Sequence, residues 1–250
     1  MAKTIAEAVK PLDKKTEVPS LEGSLAVRPP KISILSCTIV GDPNSPYVQH
    51  RFSAKARNKM KDTQAAGSTS KSKKTRDAKD FDEVYRDATH TSTEGWHGIP
   101  AASLRSAMIS ACRVSGMVMT ISKLSLFVEA DGRDAEDQSP LVRIHGDPVP
   151  LESHVRNQTG VADVRRRPAW YDWSADLRIV YDADVFKPDD ILALLMRAGA
   201  QVGIGEGRHD SKKSNGQGWG VFAIKPGSVT VTARSLQNDI AKLYATTTKE

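Results

Sequence analysis

Six glycines, Gly203, Gly205, Gly207, Gly216, Gly218 and Gly220, are interleaved with Arg208, His209, Lys212 and Lys213 in one short stretch. Glycine lets a backbone approach a neighbour closely and leaves its N–H groups available. Basic side chains beside those glycines suit an anionic neighbour. The spacing argues against a dinucleotide. Gly203 and Gly205 would require glycine or alanine at 208, where Arg208 stands, and Gly205 and Gly207 would require one at 210, where Asp210 stands. The context is also inverted, because this loop runs from a helix into a strand rather than from a strand into a helix. No GxxxxGK[ST] loop occurs anywhere. The sequence therefore calls for no nucleotide cofactor, and signals no other.

A second basic constellation is Arg165-Arg166-Arg167, followed by Trp170, Tyr171 and Trp173, with Arg156 upstream. Cations interleaved with flat rings can grip a phosphate backbone while stacking bases. The plain alternative is that the rings belong to the core and only the arginines face solvent. A third is the start of a helix at Pro100, which puts Ser103 and Arg105 near free N–H groups and the positive end of the dipole, a setting that favours phosphate. A solvated helix arginine is the alternative for Arg105. Lys212 and Lys213 suit phosphate contact and loop solubility equally.

Signals for catalysis are thinner. Asp42 in Gly41-Asp42-Pro43 reads first as a turn residue. His209-Asp210 could form an acid–base pair, but within a loop. Asp182 and Asp184 flank Ala183 without a third ligand, and the histidines show no metal spacing. No GxSxG motif is present. The expectation is a protein that binds rather than an enzyme, with neither catalytic nor metal site.

The elements that must carry these groups are legible in part. Lys31–Val40 reads as a first core strand, and Pro100–Ser115 as a helix with Leu104, Ala107, Met108, Ala111 and Cys112 on one face and Gly116 closing it. Val118–Val128 alternates like a strand. Residues 129–173 form a long excursion containing one short strand, Leu141–Ile144. Ala175, Leu177, Ile179 and Tyr181 alternate as the next core strand. A helix from Pro188, with Asp189 and Asp190 in its first turn, buries Ile191, Leu192, Leu194, Leu195 and Ala198 and stops at Gly199. Trp219–Ile224 and Ser228–Arg234 read as strands, and Leu236–Tyr244 as a closing helix. The order strand, helix, strand, excursion, strand, helix, strand predicts an α+β fold with a ferredoxin-like, split βαβ core.

Composition bounds the rest. The chain has 250 residues with a net charge of +6, enough length for one core and a mild basic bias that permits a nucleic-acid partner. Cys37 and Cys112 are isolated, so neither a zinc site nor a disulfide framework is indicated. MAKTIAEAVK lacks an apolar signal core, and the longest apolar run, Ile191–Met196, is too short to span a bilayer. The expectation is a soluble, cytoplasmic protein with no membrane partner. Residues 1–30 read as an arm, residues 31–234 as the domain, and residues 235–250 as a tail. Two insertions interrupt the domain, a basic, mobile one at 54–95 and a thumb-like one at 129–173. Within the first, residues 54–79 hold nine Lys or Arg against two Asp, a composition that cannot bury enough surface to order itself.

Three of these features together resemble the RAMP superfamily, the RNA-binding subunits of CRISPR effector complexes. Ile99-Pro100-Ala101-Ala102-Ser103-Leu104-Arg105-Ser106 is similar to that family's IPGSSLRG helix start, although Ala101 and Ala102 replace Gly-Ser and Ser106 stands where glycine is common. The loop Gly203–Gly220 is similar to its glycine-rich C-terminal signature, though longer. The arginine-bearing excursion resembles the thumb of its backbone subunits. The resemblance implies a subunit that polymerises head-to-tail along a single-stranded guide RNA beside other effector subunits, with a target strand as a second candidate. Ser103 and Arg105 would meet phosphates, and Gly203, Gly205 and Gly207 would pack against the strand. Single-stranded DNA stays open, since phosphate contacts and stacking do not report the 2′-hydroxyl. Two other readings stay open: a metal-dependent endoribonuclease using Asp42, and a phage-type single-stranded-DNA-binding or assembly protein.

Overall fold

The computed structural model describes residues 30–51, 80–156, 162–210 and 216–234. The arm, the basic segment 54–79, Lys212, Lys213 and the tail helix lie outside them. The fold is α+β, built on antiparallel sheets. Its centre is a pair of long strands, β1 (Ile32–Gly41) and β9 (Ser174–Asp182). Leu35 pairs with Ile179, Cys37 with Leu177 and Ile39 with Ala175, so all six side chains share one face of the sheet, and all are buried. This is the period of two that the alternating sequence required. Each of the four large aliphatics on this face, Leu35, Ile39, Leu177 and Ile179, contributes about 1.5–3 kcal/mol by its burial.

Two helices cover that face. α2 (Ala101–Ser115) follows α1 (Phe81–Ala88), buries Leu104, Ala107, Met108, Ala111 and Cys112, and ends on Gly116 at φ 75°. α4 (Pro188–Arg197) buries Ile191, Leu194 and Leu195. Between them in sequence lies the short helix α3 (Met119–Ser125), where alternation had predicted strand. Ser122 and Ser125 face inward, Ser122 lying 3.3 Å from Cys112 Sγ, while Ile121 and Leu124 are exposed. The apolar residues point outward, so the sequence pattern misleads here. Only β4 (Leu126–Val128) is strand, and it pairs with β9.

The main sheet runs β10–β1–β9–β6–β3. Here β3 is Gly98–Pro100, β6 is Pro140–His145 and β10 is Phe222–Ile224. Two strands share each flank of the central pair. β10 and β11 (Thr230–Arg234) both pair with β1, and β4 and β6 both pair with β9. β5 (Gly132–Arg133) pairs with β6. A second sheet, β2–β8–β7, joins β2 (Tyr47–Val48) to the hairpin of β7 (Val149–Arg156) and β8 (Ala162–Trp170).

Residues 129–173 are thus far more regular than their sequence suggests, the described ones holding four strands. The part of the first insertion from residue 80 onward is also structured. Asp80 caps α1 by accepting from the N–H groups of Asp82 and Glu83. Gly199 does not stop its helix. The chain continues as a π-helical turn, Ala198–Val202, closed by Gly203 N–H donating to Ala198 O at 2.8 Å. Gly199 is needed because β10 passes so close that a Cβ would lie 2.1 Å from Phe222 O. No helix among the described residues is long and apolar enough to cross a membrane.

Candidate nucleic-acid interface

The glycine loop folds onto its own chain. All six of its glycines have positive φ. At Gly220 a Cβ would sit 1.8 Å from Ile204 O, and at Gly205 it would sit 2.4 Å from Val48 O. Neither position tolerates a side chain. The N–H groups of Ile204, Glu206 and Gly220 donate to Gly220 O, Val48 O and Pro46 O at 3.0, 2.9 and 2.9 Å, and Val221 N–H donates to Ser45 Oγ at 3.0 Å. The close approach read from the glycines is therefore real, but these donors go to residues 45–48 and to the loop itself rather than to an external anion.

What this packing positions is Glu206, the carboxylate between Gly205 and Gly207. Its two oxygens accept from Arg165 at 2.7 Å and Arg167 at 3.2 Å, both on β8. Residues some 40 positions apart are thereby joined in one seam, with Arg208 at its edge donating to Gly205 O at 2.9 Å. Arg165 and Arg167 thus flank one carboxylate, with Arg208 in the adjoining loop. The Glu206 side chain is 18% exposed, which gives its ion pairs more weight than surface pairs carry. Arg166, on the opposite face of β8, turns to Asp82 of α1 at 2.6 Å. Arg156 closes β7, at the far end of the same hairpin.

Other candidates are placed elsewhere. Trp170 is fully buried, its ring 5.7 Å from Tyr47 and its Nε1–H donating to Gly146 O at 3.2 Å. It is a core residue, with no face open for stacking a base; Trp173 is buried too, and Tyr171 is the exposed ring of the three. Arg105 turns away from the seam. Its Nε donates to Leu126 O at 2.7 Å, a second nitrogen donates to Lys123 O, and its guanidinium lies 5.0 Å from the Phe127 ring centre. It satisfies carbonyls at the end of α3, where a helix leaves its last C=O groups without intrahelical partners. Ser103 Oγ donates to Pro100 O at 2.7 Å within its own helix start.

The carboxylates weighed for chemistry are also occupied. Asp42 Oδ1 accepts from Asn44 N–H at 2.8 Å, an Asx turn. Asp210 is ion-paired with Arg113 of α2, whose guanidinium holds its carboxyl below the usual range, so it does not serve His209 as an acid–base partner. Asp184 binds Lys31 at 3.2 Å.

One cluster escaped the sequence entirely. Buried Arg51 donates to Asp134 and Glu136 at 2.9 Å each, and His90 Nδ1 lies 2.9 Å from the other oxygen of Asp134. His90, Asp134 and Asp137 are close enough to share an ion. The Arg51 guanidinium already lies 2.9 Å from Asp134 and 3.7 Å from Asp137, however, so it supplies the positive charge an ion would bring. The set reads as a buried clasp between the end of β2 and the 134–139 turn.

No family model matches the chain, and no curated protein matches it. Among solved structures the chain is similar to one described as the cryo-EM structure of the Type III-B Cmr-beta bound to cognate target RNA, at 12% identity and a TM-score of 0.43. The match covers 81% of this chain and 61% of that one, so this chain spans less than two thirds of its neighbour's length.

Proposed function

We propose that this chain is a RAMP-like subunit that binds single-stranded RNA through the phosphate backbone and associates head-to-tail with further copies along the strand. The observation that carries the reading is the seam. The arginine hairpin and the glycine loop, each singled out for anion binding, converge on Glu206. The strand order β10–β1–β9–β4, with α2 and α4 on one face, supports a ferredoxin-like core as the platform. In this reading the hairpin β7–β8, paired with β2 in the second sheet, is the thumb. Repeated head-to-tail contact builds an open filament, the assembly a continuous strand requires. The protein acts by binding and not by cleavage, and Asp42 serves its turn.

The test is binding of labelled single-stranded RNA and DNA against salt, for wild type and for Arg165→Ala/Arg167→Ala. The logarithm of the affinity should fall linearly with the logarithm of salt, by roughly 0.7 per phosphate contacted. The double variant should have a shallower slope, and RNA should bind more tightly than DNA. No binding to either strand at low salt would remove the reading, and tighter binding to DNA would reassign the partner.

A further inference from the structure

Between Ser45 and Arg51 the chain turns inward at every residue but one. Ser45, Pro46, Tyr47, Val48, Gln49 and Arg51 are buried, and His50 alone is exposed. Its neighbours fix where it stands. The Gln49 side chain donates to Gly98 O at 2.7 Å and accepts from His90 N–H at 2.8 Å, and Arg51 is held in the clasp with Asp134. The backbone is pinned as well. Gln49 N–H donates to Pro168 O at 3.0 Å, so the antiparallel pairing of Val48 with Ala169 runs on and sets His50 opposite Arg167 of β8. Residues directly opposite share a face of the sheet, with Cβ atoms about 4.5–5.5 Å apart. Arg165, two positions along β8, lies on that face too. Val48 O accepts from Glu206 N–H at 2.9 Å, which brings the glycine loop alongside.

His50 therefore stands among the charges of the seam. β8 contributes Arg165 and Arg167, and the glycine loop contributes Glu206. Leu151 and Ser153 of β7, opposite the same two arginines, carry no charge. Its surroundings strip water from the imidazole, which lowers its pKa below the ordinary 6.5; Glu206 opposes the shift, and Arg167 and Arg165 reinforce it. The ring is thus largely uncharged at neutral pH. A phosphate reverses the balance, because an opposite charge within reach favours the imidazolium. The neutral ring offers one N–H and the protonated ring two. A phosphate drawn in by the arginines meets a neighbour that gains a charge and a donor in response, with the proton taken from solvent. Held on both sides by buried residues, His50 loses little freedom in making that contact.

We propose that His50 is a third phosphate-binding side chain of the seam and that it binds as the imidazolium, so the grip on a single strand tightens as pH falls through the mildly acidic range. The assignment rests on the RNA-binding reading above and adds to it the uptake of one proton. The test follows anisotropy of labelled oligo(U), whose base does not titrate in this window, between about pH 8 and 5.5 at fixed low salt, on wild type and His50→Gln. Wild type should gain affinity on acidification more steeply than the variant, by up to about tenfold per pH unit, the limit for one proton taken up. A second arm follows the His50 imidazole resonance, identified by its loss in His50→Gln. Its titration midpoint should rise when oligo(U) saturates the protein. It should also rise in free Arg165→Ala/Arg167→Ala, which lacks the two repelling charges. Parallel affinity profiles with a midpoint unmoved by oligo(U) would overturn the His50 assignment and leave backbone binding standing. A midpoint unchanged in the free arginine variant would show that the ring does not sit against β8, and would overturn the assignment as well. No binding of oligo(U) to wild type at any pH would overturn both readings.

Discussion

Replacing Glu206 with Gln separates the two roles the seam can have. The carboxylate holds Arg165 at 2.7 Å and Arg167 at 3.2 Å, and the three side chains are 18%, 29% and 12% exposed. Exposed pairs are worth about 0.2–1 kcal/mol, whereas leaving a fully buried charge without its partner costs about 3–5 kcal/mol. This seam lies between, so Glu206→Gln should destabilise the fold by about 1–2 kcal/mol. For a chain of this size that lowers Tm by roughly 2–8 °C. The effect on RNA should run the other way. Both guanidiniums lose the Glu206 carboxylate, so the seam gains one positive charge. The phosphates that both arginines already contact are then held against less competition, so affinity should rise at every salt concentration while the slope, roughly 0.7 for each phosphate, stays near that of wild type. The assay pairs thermal melting with anisotropy of labelled single-stranded RNA at several salt concentrations. A variant that melts earlier but binds RNA no more tightly than wild type at any salt concentration would refute the phosphate role and leave the arginines as structural ties between hairpin and loop.

Two further predictions concern the fold that holds the seam. Gly220→Ala places a Cβ 1.8 Å from Ile204 O at a φ of +71°, so it should cost at least about 2 kcal/mol, seen as a lower urea midpoint with an unchanged m-value; an unchanged midpoint would mean the loop is not packed as described. His97 is half-buried and lies 5.9 Å from the Trp170 ring. Burial, opposed by Asp147, lowers its pKa below the ordinary 6.5. The folded state therefore binds fewer protons than the unfolded one in that window. Its contribution to stability is full above about pH 6.5 and is lost as pH falls through the lowered value. Melting of wild type should drop more steeply between neutral and mildly acidic pH than melting of His97→Gln, and parallel profiles would refute the assignment.

The sequence by itself determined the elements whose apolar residues follow a strict period. The alternation Ala175, Leu177, Ile179, Tyr181 and the stripe Leu104, Ala107, Met108, Ala111, Cys112 are buried as their spacing requires, because both faces of those elements are chemically distinct. Gly116 and Pro188 stand at a helix end and a helix start for reasons local to the backbone. Where the local pattern carried no contrast, or the wrong contrast, only tertiary structure decided. The α3 segment turns serines inward because Ser122 Oγ accepts from the Cys112 thiol and donates to Val118 O, an arrangement no period records. Trp170 looked like a stacking ring beside arginines, yet strand pairing with Tyr47 buries it. Arg105 matched a phosphate motif, but the end of α3 comes within reach and takes its donors. The seam was legible only as separate halves. Glu206 was one residue among glycines until the loop, unable to carry side chains at Gly205 and Gly220, folded tightly enough to set that carboxylate against two arginines of a distant strand.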